Sequence, residues 1–208
     1  MQNISDKIII TGIKKIFNNA GNLLNEAKIL LSNKCYARAY TLSQLSLEEC
    51  GKIHLLIDLL IGRINKETIN YKKLMEKFYC HQAKTELSLK LVLTFLSQYS
   101  LQNSDKNVKK FIIDYINKLQ NLKTQDNLKN ESLYVGFQNG IFITPPKSIS
   151  RKRAEEIYSN VKILHVTTSI VVGKPLSFYK AIANAQKTLP PNCGIDMQNV
   201  IDGFSQGK

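Results

Sequence analysis

The stretch YARAYTLSQLSLEECGKIHLLIDLLI, residues 36–61, is the strongest indication of helical structure, because its apolar residues recur at intervals of three and four. That spacing predicts a helix with one buried stripe. The stripe consists of Leu42, Leu45, Ile53, Leu56 and Leu60, and Gly62 fits the helix end. No proline occurs between about residues 18 and 125, which favours long helices over many short strands.

Three further helices are predicted around this one, over about residues 18–31, 67–98 and 108–120. A polar turn at residues 32–34 and a polar stretch at residues 100–107 separate them. We expect the second and third helices to pack side by side as antiparallel neighbours. The sequence therefore predicts an all-α bundle with its core at about residues 18–125.

The pattern changes in a C-terminal extension, about residues 127–190. Two short apolar runs flank Asn139-Gly140, which predicts a hairpin-like insertion near residues 133–143. Pro145-Pro146 ends it, and Ser148 or Ser150 is placed to cap a helix over about residues 151–171. A last short helix to about residue 188 and a frayed tail at 190–208 complete one domain, residues 1–208.

The composition restricts the classes of partner. The chain has 208 residues, with 29 Lys and Arg against 16 Asp and Glu, for a formal charge of +13. This excess favours an anionic partner, but RNA, DNA, an acidic protein and an anionic membrane all fit it. Cys35, Cys50, Cys80 and Cys193 show no close pairing, so we expect reduced thiols. The absence of a long apolar run predicts a soluble, cytoplasmic protein.

Charged residues on apolar faces are the candidate functional residues. On a helical wheel Glu49 lies about 20° from Leu42, so we expect it to point inward. Glu48 and Lys52 are placed at the edge of the stripe, in the favourable order of acid before base. An inward carboxylate is costly without a partner, so the sequence predicts one.

The third predicted helix offers that partner. On the helical wheel of this helix, His81 faces the bundle interior and Lys84 lies at the edge of the apolar stripe. We therefore expect Glu49, Lys52, His81 and Lys84 to form one polar cluster. A histidine beside a carboxylate is suited to acid and base chemistry near neutral pH. The same cluster is also typical of a structural network that fixes helix register, and the residues alone leave both readings open.

These residues resemble a known family. The chain carries Asn19-Ala20, Leu23-Leu24, Glu26-Ala27 and Ala37-Arg38-Ala39, then Leu47-Glu48-Glu49-Cys50-Gly51-Lys52, and later His81-Gln82-Ala83-Lys84. The Glu-Glu-x-Gly-Lys and His-x-x-Lys parts, in this order, resemble the AbiV family of bacterial abortive-infection proteins, a branch of the HEPN superfamily. Leu133-Tyr134-Val135 and Pro145-Pro146 are similar to a later family segment, with Gly136 where an acid is frequent. The resemblance covers about residues 18–160.

The resemblance implies a helical bundle, usually dimeric, that acts in defence against phage. It also implies a metal-independent endoribonuclease, since many HEPN relatives cut RNA with an Arg-x(4–6)-His motif. This chain departs from that motif, because no arginine precedes a histidine at that interval. Glu49, Lys52, His81 and Lys84 are the candidate catalytic residues in its place, with Glu49 orienting His81.

Two functions are therefore predicted. In the first, the protein blocks phage gene expression or translation by binding or cutting RNA. In the second, it is a non-catalytic protein that captures a phage-encoded or ribosomal protein. Candidate binding residues are Glu48, Arg151, Lys152 and Arg153. No cofactor or metal is predicted. A homodimer is expected, because Leu59, Leu87, Leu91 and Leu93 lie off the main stripes and need a second surface.

Overall fold

The structure, a computed structural model, describes residues 4–88 and 126–188. In these two ranges the helices are α1 (Asp6–Ser32), α2 (Tyr36–Ile64), α3 (Tyr71–Tyr79), α4 (residues 81–88), α5 (Asp126–Leu133), α6 (Pro145–Ser148), α7 (Arg151–Ser169) and α8 (Leu176–Thr188). Strands β1 (Gly136–Gln138) and β2 (Ile141–Ile143) form one hairpin. The predicted all-α bundle is confirmed.

Helix α2 is the centre of the bundle. It packs against α1, α3, α5, α6, α7 and α8, and 20 of its 29 residues are buried. Such a helix has no exposed half, because its neighbours cover it on several sides. Its N-terminal half shares a core with α7, and its C-terminal half shares a second core with α8.

Helices α1 and α2 form an antiparallel hairpin. Ile9 and Ile13 near the start of α1 pack in the core that contains the C-terminal half of α2. Ala20 and Leu24 pack in the core of the N-terminal half. The first helix was predicted to begin near residue 18, but α1 begins at Asp6, where the Ser5 hydroxyl accepts a hydrogen bond from the Ile8 N–H. The prediction missed its first three turns.

The third predicted helix is wrong as a single element. It was expected to run from about residue 67 to 98, but Asn70 caps α3 and Cys80 interrupts the helix with φ −76° and ψ 120°. Extended backbone at one residue turns the chain between α3 and α4. The part beyond residue 88 and the helix predicted over 108–120 lie outside the described residues.

The C-terminal predictions are closer to the structure. Asn139 (φ 50°) and Gly140 (φ 80°) form the hairpin turn, both in the left-handed region that an Asn-Gly turn supplies. Ser150 caps α7, and a last helix is present as α8, which extends to Thr188, the last described residue. Helix α5 was not predicted, and the tail at 190–208 lies outside the described residues.

The fold itself buries Leu59, one of the leucines from which the homodimer was predicted. Leu59 was expected to need a second surface, but it is 2% exposed and belongs to the core shared with α8. Leu87 is half-buried, and Leu91 and Leu93 lie outside the described residues. Because α2 is covered on several sides, a residue off its main stripe is still buried by the chain itself.

Candidate functional site

A buried carboxylate joins three helices. Glu48 projects from α2, and its side chain is 3% exposed. Its Oε2 lies 2.5 Å from His81 Nδ1 and 3.1 Å from Lys84 Nζ, both on α4. Its Oε1 accepts a 2.8 Å hydrogen bond from Lys129 Nζ on α5. We call Glu48, His81, Lys84 and Lys129 the Glu48 junction.

The local sequence explains how α4 reaches Glu48. The break at Cys80 starts α4 at His81, and Lys84 follows one turn later on the same helix face. Gly51 lies one turn beyond Glu48, and a Cβ atom there would lie 1.9 Å from the Lys84 carbonyl oxygen. Only glycine allows the two backbones to approach so closely. The Glu-Glu-x-Gly-Lys and His-x-x-Lys motifs are therefore two halves of one contact.

Helix α5 completes the junction from a distant part of the chain. Besides Lys129, α5 places Ser132 Oγ 2.6 Å from Thr41 Oγ1 on α2. Both hydroxyls are buried, and Ser132 also bonds the Lys129 carbonyl oxygen. The two α5 contacts lie one turn apart and fix that helix along α2.

The lysines keep Glu48 ionised. Burial by itself raises the pKa of this carboxyl, but hydrogen bonds from Lys129 and His81 and the charges of Lys129 and Lys84 outweigh burial. The pKa of Glu48 is lowered as a result. Lys84 and Lys129 are themselves buried, so two ammonium groups face one carboxylate in a region of low dielectric. The junction carries a net positive charge at its centre.

His81 is the solvent-facing member of the junction. Its side chain is 55% exposed, whereas those of Lys84 and Lys129 are 7% and 10% exposed. A carboxylate at Nδ1 holds the proton there in the neutral ring, so Nε2 is the basic nitrogen. A surface imidazole with a fixed tautomer and a buried carboxylate behind it is the arrangement used for proton transfer in many active sites.

Glu49 was predicted as the inward carboxylate, and that prediction is off by one residue. Glu49 is 15% exposed and pairs within α2 with Lys52, at 2.5 Å. Lys52 Nζ also lies 5.4 Å from the centre of the Phe78 ring on α3. The expected contact between Glu49 and Lys52 is present, but the structure brings His81 and Lys84 to Glu48 instead.

The physical reason lies in the burial of α2. The helical phase was set from Leu42 and Leu45, which are only half-buried. Because α2 is surrounded by the other described helices, α4 included, it has no single apolar stripe, and a helical wheel does not show which of two adjacent carboxylates is buried. Gly51 was the available signal, because glycine in a helix interior is costly and marks close packing. Lys129 gave no signal, since 81 residues separate it from Glu48.

The predicted basic binding residues differ from the junction in being exposed to solvent. Arg151, Lys152 and Arg153 are all exposed at the start of α7. Arg151 Nε donates a 2.8 Å hydrogen bond to Glu155 Oε1, and both side chains are largely exposed. This is a solvated helix start, and its ion pair is on the surface.

Within residues 4–88 and 126–188, no group of three or more His, Cys, Asp or Glu side chains is arranged to bind a metal ion. Cys35, Cys50 and Cys80 are free thiols. His165 stacks on Phe17 with ring centroids 4.1 Å apart, and burial lowers its pKa. His165 is therefore part of the packing between α1 and α7.

The described helices form an all-α, HEPN-like bundle. The sequence model of the family described as AbiV matches residues 8–165, most of the chain, and the protein belongs to the AbiV family. No curated protein and no solved structure matches it. Membership indicates a role in abortive-infection defence against phage. Among the described helices, none is long and apolar enough to cross a membrane.

Proposed function

We propose that this protein stops phage multiplication by cutting RNA needed for phage gene expression or translation, with His81 as the general base. One observation carries the proposal: the imidazole is exposed while its Nδ1 lies 2.5 Å from the buried Glu48 carboxylate. Catalysis needs the histidine within reach of a substrate and its tautomer fixed. A histidine that served only to stabilise the bundle would not need to reach solvent.

The chemistry requires no metal. His81 Nε2 takes the proton of an RNA 2′-hydroxyl, and the 2′-oxygen attacks the adjacent phosphorus. The bond from phosphorus to the 5′-oxygen breaks, and that oxygen takes a proton from water while the His81 imidazolium releases its proton to solvent, which leaves a 2′,3′-cyclic phosphate and a 5′-hydroxyl. The phosphorane formed on the way carries extra negative charge, which the positive junction stabilises. Lys84 and Lys129 act through that field, since both are buried.

Glu48 takes the role that the sequence assigned to Glu49. It does not meet the substrate, because it is buried beneath His81. Its carboxylate orients the ring and stabilises the imidazolium that forms when Nε2 accepts the proton. Glu48 is therefore a positioning residue. Lys52 lies on the neighbouring turn of α2, where it pairs with Glu49, and its side chain is more exposed than those of Lys84 and Lys129.

The test is RNA cleavage in EDTA by the purified protein, alone and then with lysate from phage-infected cells. Labelled RNA should be cut, and the same strand with 2′-deoxyribose at every position should not. His81→Ala should slow cleavage by about 10²-fold or more, the usual value of a general base. Asp58→Ala is the matched control, since Asp58 is also partly exposed and lies beside a histidine, 3.4 Å from His54 Nδ1, outside the proposed site. Equal cleavage by wild type and His81→Ala would reject the mechanism.

The second candidate function is capture of a phage-encoded or ribosomal protein without catalysis. It is favoured by the three partners of Glu48, which tie α2, α4 and α5 together and suit a purely structural network. In that case neither RNA form is cut, and His81→Ala still protects cells from phage.

The proposal includes a homodimer and a cytoplasmic location, where RNA and phage translation are found. Helix α7 supports the dimer, because Ile163, Val166 and Ile170 form an exposed apolar stripe at helical spacing. Light scattering should show a dimer at micromolar concentration, and Val166→Asp should weaken it. A monomeric wild type would reject this part of the proposal.

A further inference from the structure

The hairpin presents two aromatic rings to solvent. Phe137 on β1 pairs with Phe142 on β2, and the ring centroids lie 4.9 Å apart with the planes tilted by 52°. Phe137 is 64% exposed and Phe142 is 74% exposed. Side chains of this size are seldom left so open, so the pair indicates a binding surface.

The strand register separates this aromatic face from the other face. Opposite residues in an antiparallel pair share a face, and neighbours along a strand alternate. Phe137 and Phe142 therefore share one face, whereas Ile141 and Ile143 lie on the other. Ile143 is half-buried and Ile141 is 62% exposed, so this second face contacts the rest of the protein near Ile143. Within the two strands the aromatic face carries the Phe137 and Phe142 rings, and Val135, just before β1, is also 59% exposed.

The hairpin follows α5, the helix that carries Lys129 of the Glu48 junction. It then enters α6, and α5 and α6 pack against each other. Eight residues separate Lys129 from Phe137, a reach of at most about 28 Å. The segment from residue 134 to 146 contains no charged side chain. Lys147, Arg151, Lys152 and Arg153 follow it without an intervening acid, so the nearby chain is basic.

We propose that Phe137 and Phe142 form a base-stacking platform for unpaired RNA. The inference rests on the proposed function and deepens it, because it specifies single-stranded RNA as the substrate form. Unpaired bases expose their faces to aromatic rings, whereas bases inside a duplex are stacked on one another. The basic residues after the hairpin suit the phosphates of the same strand. A strand of about 15 nucleotides is long enough to reach from the rings to His81.

A ring is needed for stacking, whereas a protein partner would accept any apolar side chain of similar size. The test therefore compares Phe137→Leu/Phe142→Leu with Phe137→Trp/Phe142→Trp in the full-length protein. Ile141→Ala is the matched control, since Ile141 lies in the same hairpin, on the other face, and is 62% exposed. Fluorescence anisotropy measures Kd for a labelled 15-nucleotide oligoadenosine and for a duplex of equal length.

The leucine variant should bind the unpaired strand at least about tenfold more weakly than wild type, since two stacked rings are removed. The tryptophan variant and Ile141→Ala should stay within about twofold of wild type, and the duplex should bind weakly to all. Equal Kd values for wild type and the leucine variant would overturn the platform, as would the absence of RNA binding by wild type. A changed oligomeric state in the leucine variant, without a change in Kd, would assign the hairpin to protein contact instead.

The two proposals fail separately in this experiment. If the leucine variant loses RNA binding while His81→Ala cuts RNA as fast as wild type, the platform stands and the catalytic role of His81 is rejected. If the leucine variant binds as wild type does while cleavage still depends on His81, the catalytic role stands and the platform is rejected.

Discussion

The Glu48 junction and the basic start of α7 are both charged clusters, but they differ in what lies around them. At the junction, one carboxylate that is 3% exposed meets three donors from two other helices. At the start of α7, Arg151 pairs with Glu155 four residues along the same helix, with 71% and 49% of their side chains exposed. The first cluster holds helices together, and the second holds only two surface side chains.

This difference in burial determines how much each cluster contributes to the free energy of unfolding. An exposed pair on one helix contributes about 0–1 kcal/mol, because water solvates both groups and screens their attraction. Buried charges depend on one another, since removal of one leaves the others without compensation. A functional group mounted on the buried cluster is therefore held in place, whereas one at the start of α7 is not.

The largest expected effect separates the two clusters by stability. Glu48→Ala leaves Lys84 and Lys129 buried without their carboxylate, and should lower the free energy of unfolding by about 3–5 kcal/mol. Arg151→Ala should change it by less than about 0.5 kcal/mol. Urea denaturation of both variants measures the contrast. Similar losses in the two proteins would show that the junction is not the stronger cluster.

Gly51→Ala tests the close approach of α2 and α4. The new Cβ atom would lie 1.9 Å from the Lys84 carbonyl oxygen, so one of the two helices must shift. We expect a loss of about 1–3 kcal/mol, despite the gain in helix propensity from alanine. Gly136→Ala is the control, because a Cβ atom there meets nothing within 4 Å. A stable Gly51→Ala protein with unchanged RNA cleavage would contradict this geometry.

The sequence predicted the bundle and the residue types of the site, but not the partners. Helical spacing and the Asn-Gly turn are local signals, so α2 and the hairpin were found. The choice between Glu48 and Glu49 depends on which helices surround α2, and Lys129 comes from a segment far along the chain. Tertiary packing of this kind leaves no local pattern. The break at Cys80 was hidden for a similar reason, since one extended residue does not disturb the apolar spacing.

The pH dependence of stability gives a smaller, sharper contrast. Because the pKa of Glu48 lies below its unfolded value of 4.5, the ionised carboxylate stabilises the fold, and this contribution is complete above about pH 4.5. It is lost as the pH falls through the lowered pKa. The stability difference between wild type and Glu48→Gln should therefore shrink in acid. A difference that stays constant from pH 7 to pH 3 would contradict the ion-pair network.

The smallest effect compares buried and exposed thiols. Burial raises the pKa of the Cys50 thiol to about 12, although a hydrogen bond with Thr168 lowers it in part. Cys35 and Cys80 are exposed. In a Cys193→Ala protein, a disulfide reagent at pH 8 should label two thiols in the native state and three in urea. Rapid labelling of Cys50 in the native protein would show that α2 is less covered than the fold implies.

The central claim is that Glu48 holds His81 for function rather than for folding. The most direct measurement is phage plaque counts on cells that express His81→Ala, beside thermal melts of the same purified protein. Because His81 is 55% exposed and Glu48 keeps two lysines, the variant should accumulate and melt within several degrees of wild type. Protection should nevertheless be lost. Wild-type protection by a folded His81→Ala protein would contradict it.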